Sequence, residues 1–221
     1  MDHTFIWIGI IVVLALSFDF SNGVHDAANA IATTVTTRAL SMGKAVAMAA
    51  VLNMVGAVVS TAVAKFIGKG LVDAHLVTLP IVAAALVGAI SWNLLTWYYG
   101  LPSSSSHALI GGLVGASLFA FGPVAVHAEG LIKTIVALVT SPLAGFASAY
   151  LLMRGLLRLV RDRPYTPTMR GFRRLQIVSA AFMAFSHGSN DAQKTMGVVT
   201  LALISGHLLP DKAAIPLWVI L

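Results

Sequence analysis

Long apolar runs dominate the hydrophobic and polar pattern of this chain. A helix that crosses a bilayer needs roughly 20 predominantly apolar residues, and several of the runs reach that length. We therefore expect a bundle of membrane-spanning helices, with five crossings ahead of the last run. The runs are Phe5–Leu16 with its continuation to Thr37, Ala45–Ala64, Leu76–Tyr99, His107–Gly122, Thr134–Met153 and Leu175–Asn190.

Composition strengthens the membrane prediction and excludes a soluble protein. Of 221 residues, 58% are hydrophobic and only 10% are charged, whereas soluble domains carry about 25% charged residues. No Asp, Glu, Lys or Arg occurs from Ala74 through Ala128. The chain has no cysteine, which excludes disulfides, thiolate metal sites and cysteine nucleophiles. The expected fold class is an all-α polytopic membrane protein.

Basic residues are concentrated in one segment between apolar regions. The net charge is +6, and seven of the fourteen Lys and Arg residues lie within residues 154–174. Short cationic loops beside membrane spans face the cytoplasm. We therefore expect a first membrane repeat at 1–153, a cytoplasmic loop at 154–174, the start of a second repeat at 175–221, and an N-terminus outside. This placement indicates contact with membrane lipid and argues against a nucleic-acid partner.

One short motif occurs twice, at an offset of 165 residues. Residues 20–27 read FSNGVHDA and residues 185–192 read FSHGSNDA, with Phe, Ser, Gly, Asp and Ala in common. Five intervening crossings would reverse the direction of the second copy, which predicts an inverted-topology repeat with broken or re-entrant helices. The counterpart of Pro102–His107 would lie beyond Leu221. We expect the second repeat to continue there, with a homodimer of short chains as the alternative.

The first apolar run carries a polar stripe. As one straight helix, Thr4 to Thr37 would measure about 51 Å against a hydrocarbon core of roughly 30 Å, so we expect a bend, a break or an emerging end, with Ser21–Gly23 as the breaking point. Carboxylates at membrane depth usually mark a transport path; a seam that joins helices is the alternative. The stripe comprises Asp19, Asn22, Asp26, Asn29, Thr33 and Thr36.

Two further segments have features that favour anion binding. Asp191 and Lys194 stand three residues apart, so they either neutralise one another or leave Lys194 to attract an anionic substrate. Four serines, Ser103 to Ser106, precede an apolar helix whose free N–H groups and positive dipole end favour anions, with an ordinary capped loop as the alternative. An Asp/Asn stripe together with a serine-bearing helix end suits an oxyanion carried with cations or protons.

At these motifs the chain resembles the PiT family of inorganic phosphate transporters. The segments NGVHDAANA at 22–30, PSSSSH at 102–107 and GSNDAQKTMG at 188–197 agree with the family's signatures in order and spacing. The resemblance implies secondary active transport of inorganic phosphate, in the inner membrane of a bacterium. It implies substrate-binding roles for Ser103, Ser104, Ser105, Ser106, Asn29, Asn190, Gln193, Lys194 and Thr195. It implies coupling-ion roles for Asp26 and Asp191, and we expect Asn22 and His25 to share that role.

The chain departs from the family pattern at His25, where many members have Asn, as at Asn190 in the second motif. Imidazole cannot supply the amide oxygen that Asn would offer to sodium. We therefore expect coupling to H+, with Na+ as the alternative. The bacterial branch that the chain resembles is expected to carry neutral metal–phosphate complexes, in which a divalent metal is cargo. No resident cofactor or metal is expected.

Two other functions compete with transport. A channel for a small neutral or cationic solute would use paired histidines and would need no carboxylate stripe. An intramembrane enzyme would use Asp26 and Asp191 as acid and base, or Ser106 and His107 as nucleophile and base. Adjacent residues on a helix do not face each other, and the repeat explains the two aspartates without catalysis. We therefore expect a transporter and not an enzyme.

Overall fold

The computed structural model describes residues 3–210 and 214–220, and the regular structure of this part of the chain is helical, as predicted. A π-helical turn, Phe66–Gly70, extends the third helix, and a 3-10 turn, Gly122–Ala125, follows the fifth. The helices are α1 (His3–Thr36), α2 (Met42–Ala57), α3 (Ala62–Lys65), α4 (Leu79–Tyr98), α5 (Ser105–Phe121), α6 (Ala128–Val160), α7 (Tyr165–Ser205) and α8 (Leu217–Ile220).

The structure has four candidate membrane spans among its described residues, or five if a bent pair is counted as one, against six apolar runs in the sequence. Among the described residues, α1, α4, α5 and α6 are long and apolar enough to cross a membrane, and α2 with α3 makes a fifth span if the bent pair is counted as one. This confirms a polytopic membrane protein. The most apolar window of α6 has no buried residue, so its surface is available to lipid.

The run Ala45–Ala64 does not form the single straight span that its composition predicted. Its two parts, α2 and α3, meet at an angle of 57°. Ser60 Oγ accepts a hydrogen bond from the Ala62 N–H at 3.2 Å. Gln193 Oε1 accepts one from the Val63 N–H at 2.8 Å. Because these oxygens replace acceptors that the break removes, the chain can bend within an apolar environment.

Of the bend, break or emergence predicted around Ser21–Gly23, the break is wrong, because α1 runs without interruption from His3 to Thr36. The Ser21 hydroxyl donates to the Phe18 carbonyl at 2.7 Å, which satisfies it within the helix. The Asn22 side chain is used in a contact with another helix and does not compete for the α1 backbone. A helix of this length has to tilt or extend beyond the hydrocarbon core.

The Arg-rich segment 154–174 was expected to be a loop, and most of it is helical. The helix α6 continues to Val160 and α7 begins at Tyr165, so only residues 161–164 connect the two. The residue before a proline is disfavoured in helical conformation, which explains why the interruption lies at Arg163 and Pro164. The basic side chains therefore extend from two helix ends and a short connection.

The helices α1 and α7 pack in opposite directions along their length. The Thr37 hydroxyl donates to Gln176 Oε1 at 2.8 Å, and the Asn22 amide contacts Asp191. At the other end, Gly206 lies against Ile8. As the residue number increases along α1, the number of the contacting residue in α7 decreases, so the two helices are antiparallel.

The helix α2 packs closely against α7 through a glycine. A Cβ atom at Gly188 would overlap the backbone of Asn53, so only glycine permits this approach. The helix α4 lies between α1 and α5, and the main apolar core is formed where these helices meet the end of α7. The polar motifs therefore lie between packed helices.

Candidate functional site

Four polar side chains from three helices form a closed ring of hydrogen bonds, which we call the polar ring. Lys194 Nζ donates to Asp191 Oδ1 at 2.9 Å and to Ser105 Oγ at 2.9 Å. Ser105 Oγ donates to Asn22 Oδ1. Asn22 Nδ2 donates to Asp191 Oδ2 at 2.7 Å. The polar ring joins α1, α5 and α7 at one point.

The polar ring is almost removed from solvent. The Lys194 side chain is 4% exposed and that of Asp191 is 15% exposed, while Asn22 and Ser105 are buried. A buried ammonium group is costly unless a counter-charge and hydrogen bonds compensate it, and Asp191 and Ser105 supply both. The predicted pairing of Lys194 with Asp191 is therefore observed. Lys194 also reaches Ser105 of the serine segment, and its attraction of an anionic substrate stays a prediction.

The start of α5 adds positive potential at the polar ring. Ser105 is the first residue of α5, and Ser104 precedes it as the N-cap. The first-turn N–H groups of a helix have no intrahelical acceptors, and the helix dipole places partial positive charge there. Together with Lys194, this end of α5 can attract an anion.

A second cluster lies beside the polar ring and has the opposite preference. One ligand atom each from Asp26, His187 and Asp191 lie within 4.8 Å of one another, and all three residues are half-buried. Two carboxylates and an imidazole are a ligand set that can hold a cation. Because Lys194 already compensates Asp191, the Asp26 carboxylate leaves this cluster with negative charge.

Asn53 orients the imidazole of this cluster. His187 Nε2 lies 3.1 Å from Asp191 Oδ2, and its Nδ1 lies 3.0 Å from Asn53 Oδ1. The Asn53 amide donates to the Ala49 carbonyl at 2.8 Å, which directs its oxygen to His187. This contact favours the tautomer in which Nδ1–H donates to Asn53 Oδ1, and Nε2 then faces the carboxylates.

The two contacts of α1 with α7 are equivalent under the sequence repeat. At the offset of 165 residues, Asn22 corresponds to His187 and Asp26 corresponds to Asp191. Asn22 contacts Asp191, and its counterpart His187 clusters with Asp26. Each copy of the motif thus presents its aspartate to the other copy.

The other serines of the predicted substrate site do not join the polar ring. Ser103 Oγ accepts a hydrogen bond from Trp92 Nε1 at 3.0 Å, and Ser104 Oγ accepts one from the His107 N–H at 3.4 Å. Ser103 and Ser104 instead line a separate cavity of about 460 Å³. Ser106 is half-buried. Of the four serines, Ser105 is the one in the polar ring, and the substrate-binding roles of the other three stay predictions.

The two asparagines predicted to bind substrate, Asn29 and Asn190, are exposed. Asn29 Nδ2 donates to Asp26 Oδ1 at 3.3 Å, so it borders the second cluster. Asn190 donates to the Ser186 carbonyl of its own helix at 3.1 Å and does not reach the polar ring.

Three more predicted site residues have other neighbours. Gln193 is buried and accepts hydrogen bonds at the start of α3, so it stabilises the bend between α2 and α3. Thr195 lies beside Asp19 in a cavity outside the ring. His25 Nε2 lies 2.9 Å from the Asn93 carbonyl oxygen, on the α4 side of α1.

Sequence reasoning assigned no role to His187 and missed Asn53. Asn53 is the lone amide of the apolar run Ala45–Ala64. Polar side chains at membrane depth are costly, so a single Asn in such a run was a usable signal. Nothing in the spacing of His187 and Asn53 indicated that they meet, because their contact depends on how α2 packs against α7.

Comparison with known proteins gives a consistent family match. A model described as the phosphate transporter family matches residues 22–221. The chain is 48% identical over 223 residues to a probable low-affinity inorganic phosphate transporter of Bacillus subtilis (strain 168), covering 99% of this chain and 66% of that protein. It is 51% identical over 217 residues to a protein of the same description from Mycobacterium tuberculosis (strain H37Rv), covering 96% of this chain and 51% of that protein. The chain thus spans about half to two thirds of these relatives.

One solved structure shares the fold. It is described as the sodium-dependent phosphate transporter, and it superimposes with a TM-score of 0.80 at 22% sequence identity. The match covers 97% of this chain and 72% of that one. At this identity the likeness concerns the arrangement of the helices alone.

Proposed function

The chain belongs to the phosphate transporter family, and we propose that it forms part of a secondary active transporter that moves inorganic phosphate by symport with H+. Na+ is the alternative coupling ion. One observation carries the proposal: the polar ring offers a buried ammonium and a helix start to an anion, directly beside a cluster with a cation preference. A channel for neutral solutes would need neither.

Phosphate would bind at Lys194 and Ser105. In the structure these two groups hydrogen-bond each other, so the ring satisfies its own donors without a substrate. An incoming phosphate oxygen can take the place of Ser105 Oγ as acceptor for Lys194 Nζ, while the Ser105 hydroxyl turns to donate to the same anion. The first-turn amides of α5 add further donors.

The accompanying cation would bind at Asp26, His187 and Asp191. A cation there neutralises charge next to the bound phosphate and lowers the cost of removing both ions from water. A divalent metal carried as a neutral metal–phosphate complex fits this arrangement. It is cargo in this proposal, not a resident cofactor.

The transport cycle would be alternating access between two inverted repeats. The opposite directions of α1 and α7 support this arrangement, as does the exchange of aspartates between the two motif copies. The polar ring lies where the copies cross, so rocking of one repeat against the other would expose it to each side in turn.

The placement in the cell follows from the same proposal. The bacterial relatives and the apolar helices favour an inner membrane, with the Arg-rich segment in the cytoplasm and the N-terminus outside. Lipid would cover α6. The proposal includes a homodimer, which cross-linking in native membranes tests.

Uptake of radiolabelled phosphate into proteoliposomes containing the full-length protein tests the function, with pH and sodium gradients imposed separately. We expect the pH gradient to drive accumulation; accumulation driven only by sodium would reassign the coupling ion. Equally fast equilibration without either gradient would indicate a channel. Absence of uptake by folded protein would contradict the proposal.

A further inference from the structure

The repeat symmetry fails at one pair of positions along the α1–α7 contact. Asp19 lies beside Thr195. At the offset of 165 residues their counterparts are Ala184 and Ala30. Both alanines are buried in one small apolar cluster with α2. A polar pair on one side of the polar ring thus corresponds to an apolar pair on the other side. Because alanines fill the equivalent positions, helix packing alone does not require a carboxylate at Asp19.

The polar pair borders a cavity of about 270 Å³ between α1, α7 and α8. The other side chains in its wall are mostly apolar and include Val12, Met196 and Trp218. The Thr195 hydroxyl is buried and has no hydrogen bond of normal length to any described residue. Asp19 itself is half-buried. A carboxylate in a mostly apolar cavity at membrane depth is energetically costly, so it is expected to have a function.

The number of oxygen ligands in the cavity wall determines which ion the cavity can bind. A bare metal cation needs several oxygen ligands to replace its hydration shell, as the six to eight of Ca²⁺ and the octahedron of Mg²⁺ illustrate. Asp19 and Thr195 are the side chains with oxygen in this wall. A proton needs one acceptor, because it forms a covalent O–H bond.

We propose that Asp19 is the proton-binding residue of the symport, at a site separate from the polar ring. This rests on the proposed function and assigns its coupling ion to a residue. The Asp19 carboxylate takes a proton from water and becomes a neutral carboxylic acid, and it returns the proton on the other side of the membrane. No other bond changes.

The charges around Asp19 explain how the proton would be coupled to phosphate. Asp191, Lys194 and His187 of α7 interact with it electrostatically, and Asp26 lies two turns further along α1. The described residues of α2 and α8 in the cavity wall carry no titratable side chain. Protonation removes a negative charge near Lys194, which favours phosphate at the ring. By linkage, phosphate raises proton affinity at Asp19 by the same factor.

Asp19→Asn tests this in full-length protein in proteoliposomes, because Asn mimics the protonated acid. We expect phosphate exchange between labelled and unlabelled pools to persist, while a pH gradient no longer drives accumulation. Asp162→Asn is the matched control, since it removes an exposed carboxylate between α6 and α7. It should retain wild-type accumulation. Wild-type protein that transports no phosphate would defeat the proposed function itself.

Two results for Asp19→Asn would overturn the inference while leaving phosphate transport intact in the wild type. One is undiminished accumulation driven by the pH gradient. The other is loss of exchange in a folded variant, which would make Asp19 part of the phosphate path.

Thr195→Val supplies a second test if Asp19→Asn does not fold. The Thr195 hydroxyl lies beside Asp19 and can donate to its ionised carboxylate, so its loss should move the pH profile of uptake upward by about one unit. An unchanged profile would also overturn the inference.

Discussion

Asp26 and Asp191 occupy the same position in the two motif copies, yet their surroundings differ. Asp191 accepts hydrogen bonds from Asn22 and Lys194 and also faces His187. Asp26 accepts one long hydrogen bond from Asn29 and borders the cation cluster. The difference arises because Lys194 contacts Asp191, and Ser105 joins Lys194 to Asn22 to complete the polar ring.

This comparison separates two roles that the sequence repeat makes look alike. Asp191 is the counter-charge of a buried lysine, so the packing of the protein depends on it. Asp26 has unused acceptor capacity, so it is available to a cation that moves with the substrate. Variants at the two positions should therefore differ in what they damage.

The largest effect is expected for Asp191→Asn. It leaves the Lys194 ammonium buried without its counter-charge, which costs about 3–5 kcal/mol. Thermal unfolding of purified protein should show this loss of stability, and uptake should disappear. The double variant Asp191→Asn with Lys194→Met removes both charges and should recover most of the stability but no uptake. Equal stability of the single variant and wild type would refute the structural role.

Asp26→Asn should abolish uptake with little change in folding. The substitution keeps the shape of the side chain and removes no buried ion pair, so stability should stay within about 1 kcal/mol of wild type. Uptake and thermal unfolding measured on the same preparation give both quantities. Wild-type uptake in this variant would remove the carboxylate from the mechanism.

Ser105→Ala should raise the phosphate concentration for half-maximal uptake about tenfold. The variant loses one hydroxyl donor to an anion, and hydrogen bonds to charged groups contribute about 1.5–3 kcal/mol. Ser103→Ala is the matched control, because Ser103 binds Trp92 away from the ring. Ser103→Ala should change the phosphate concentration for half-maximal uptake less than twofold. Equal effects of the two variants would argue for the four-serine site predicted from the sequence.

The smallest effect is expected for Asn53→Leu. It removes the acceptor that orients His187, at a cost of about 1 kcal/mol of stability. The half-saturating phosphate concentration should stay near wild type, because Asn53 does not touch the polar ring. A large rise in that concentration would mean that His187 contributes to the phosphate site rather than to the cation cluster.

The fold class and the main spans were predictable from the sequence, because bilayer thickness sets the length of apolar runs. The bend after α2 was not. It depends on Gln193, a residue 130 positions away from Val63, whose side chain caps the start of α3. The continuity of α1 was missed for a similar reason, since Ser21 and Asn22 were judged as helix breakers before their partners were known.

The composition of the candidate site was better predicted than its geometry. Asp26, Asp191, Lys194 and Ser105 were named from charge at membrane depth and from the serine-bearing helix end. Which serine reaches the lysine was not predictable, because it depends on the rotation of α5 about its axis. Ser103 lies before the N-cap, outside α5, and contacts Trp92, whereas Ser105 begins the helix and reaches Lys194.

The most direct test of the central claim is a structure of the full-length protein determined with bound phosphate. The account predicts phosphate density within hydrogen-bond distance of Lys194 Nζ and Ser105 Oγ, at the start of α5. Density away from the polar ring would contradict it, for example in the cavity of about 860 Å³ lined by His3, His75 and His207 at one end of the bundle.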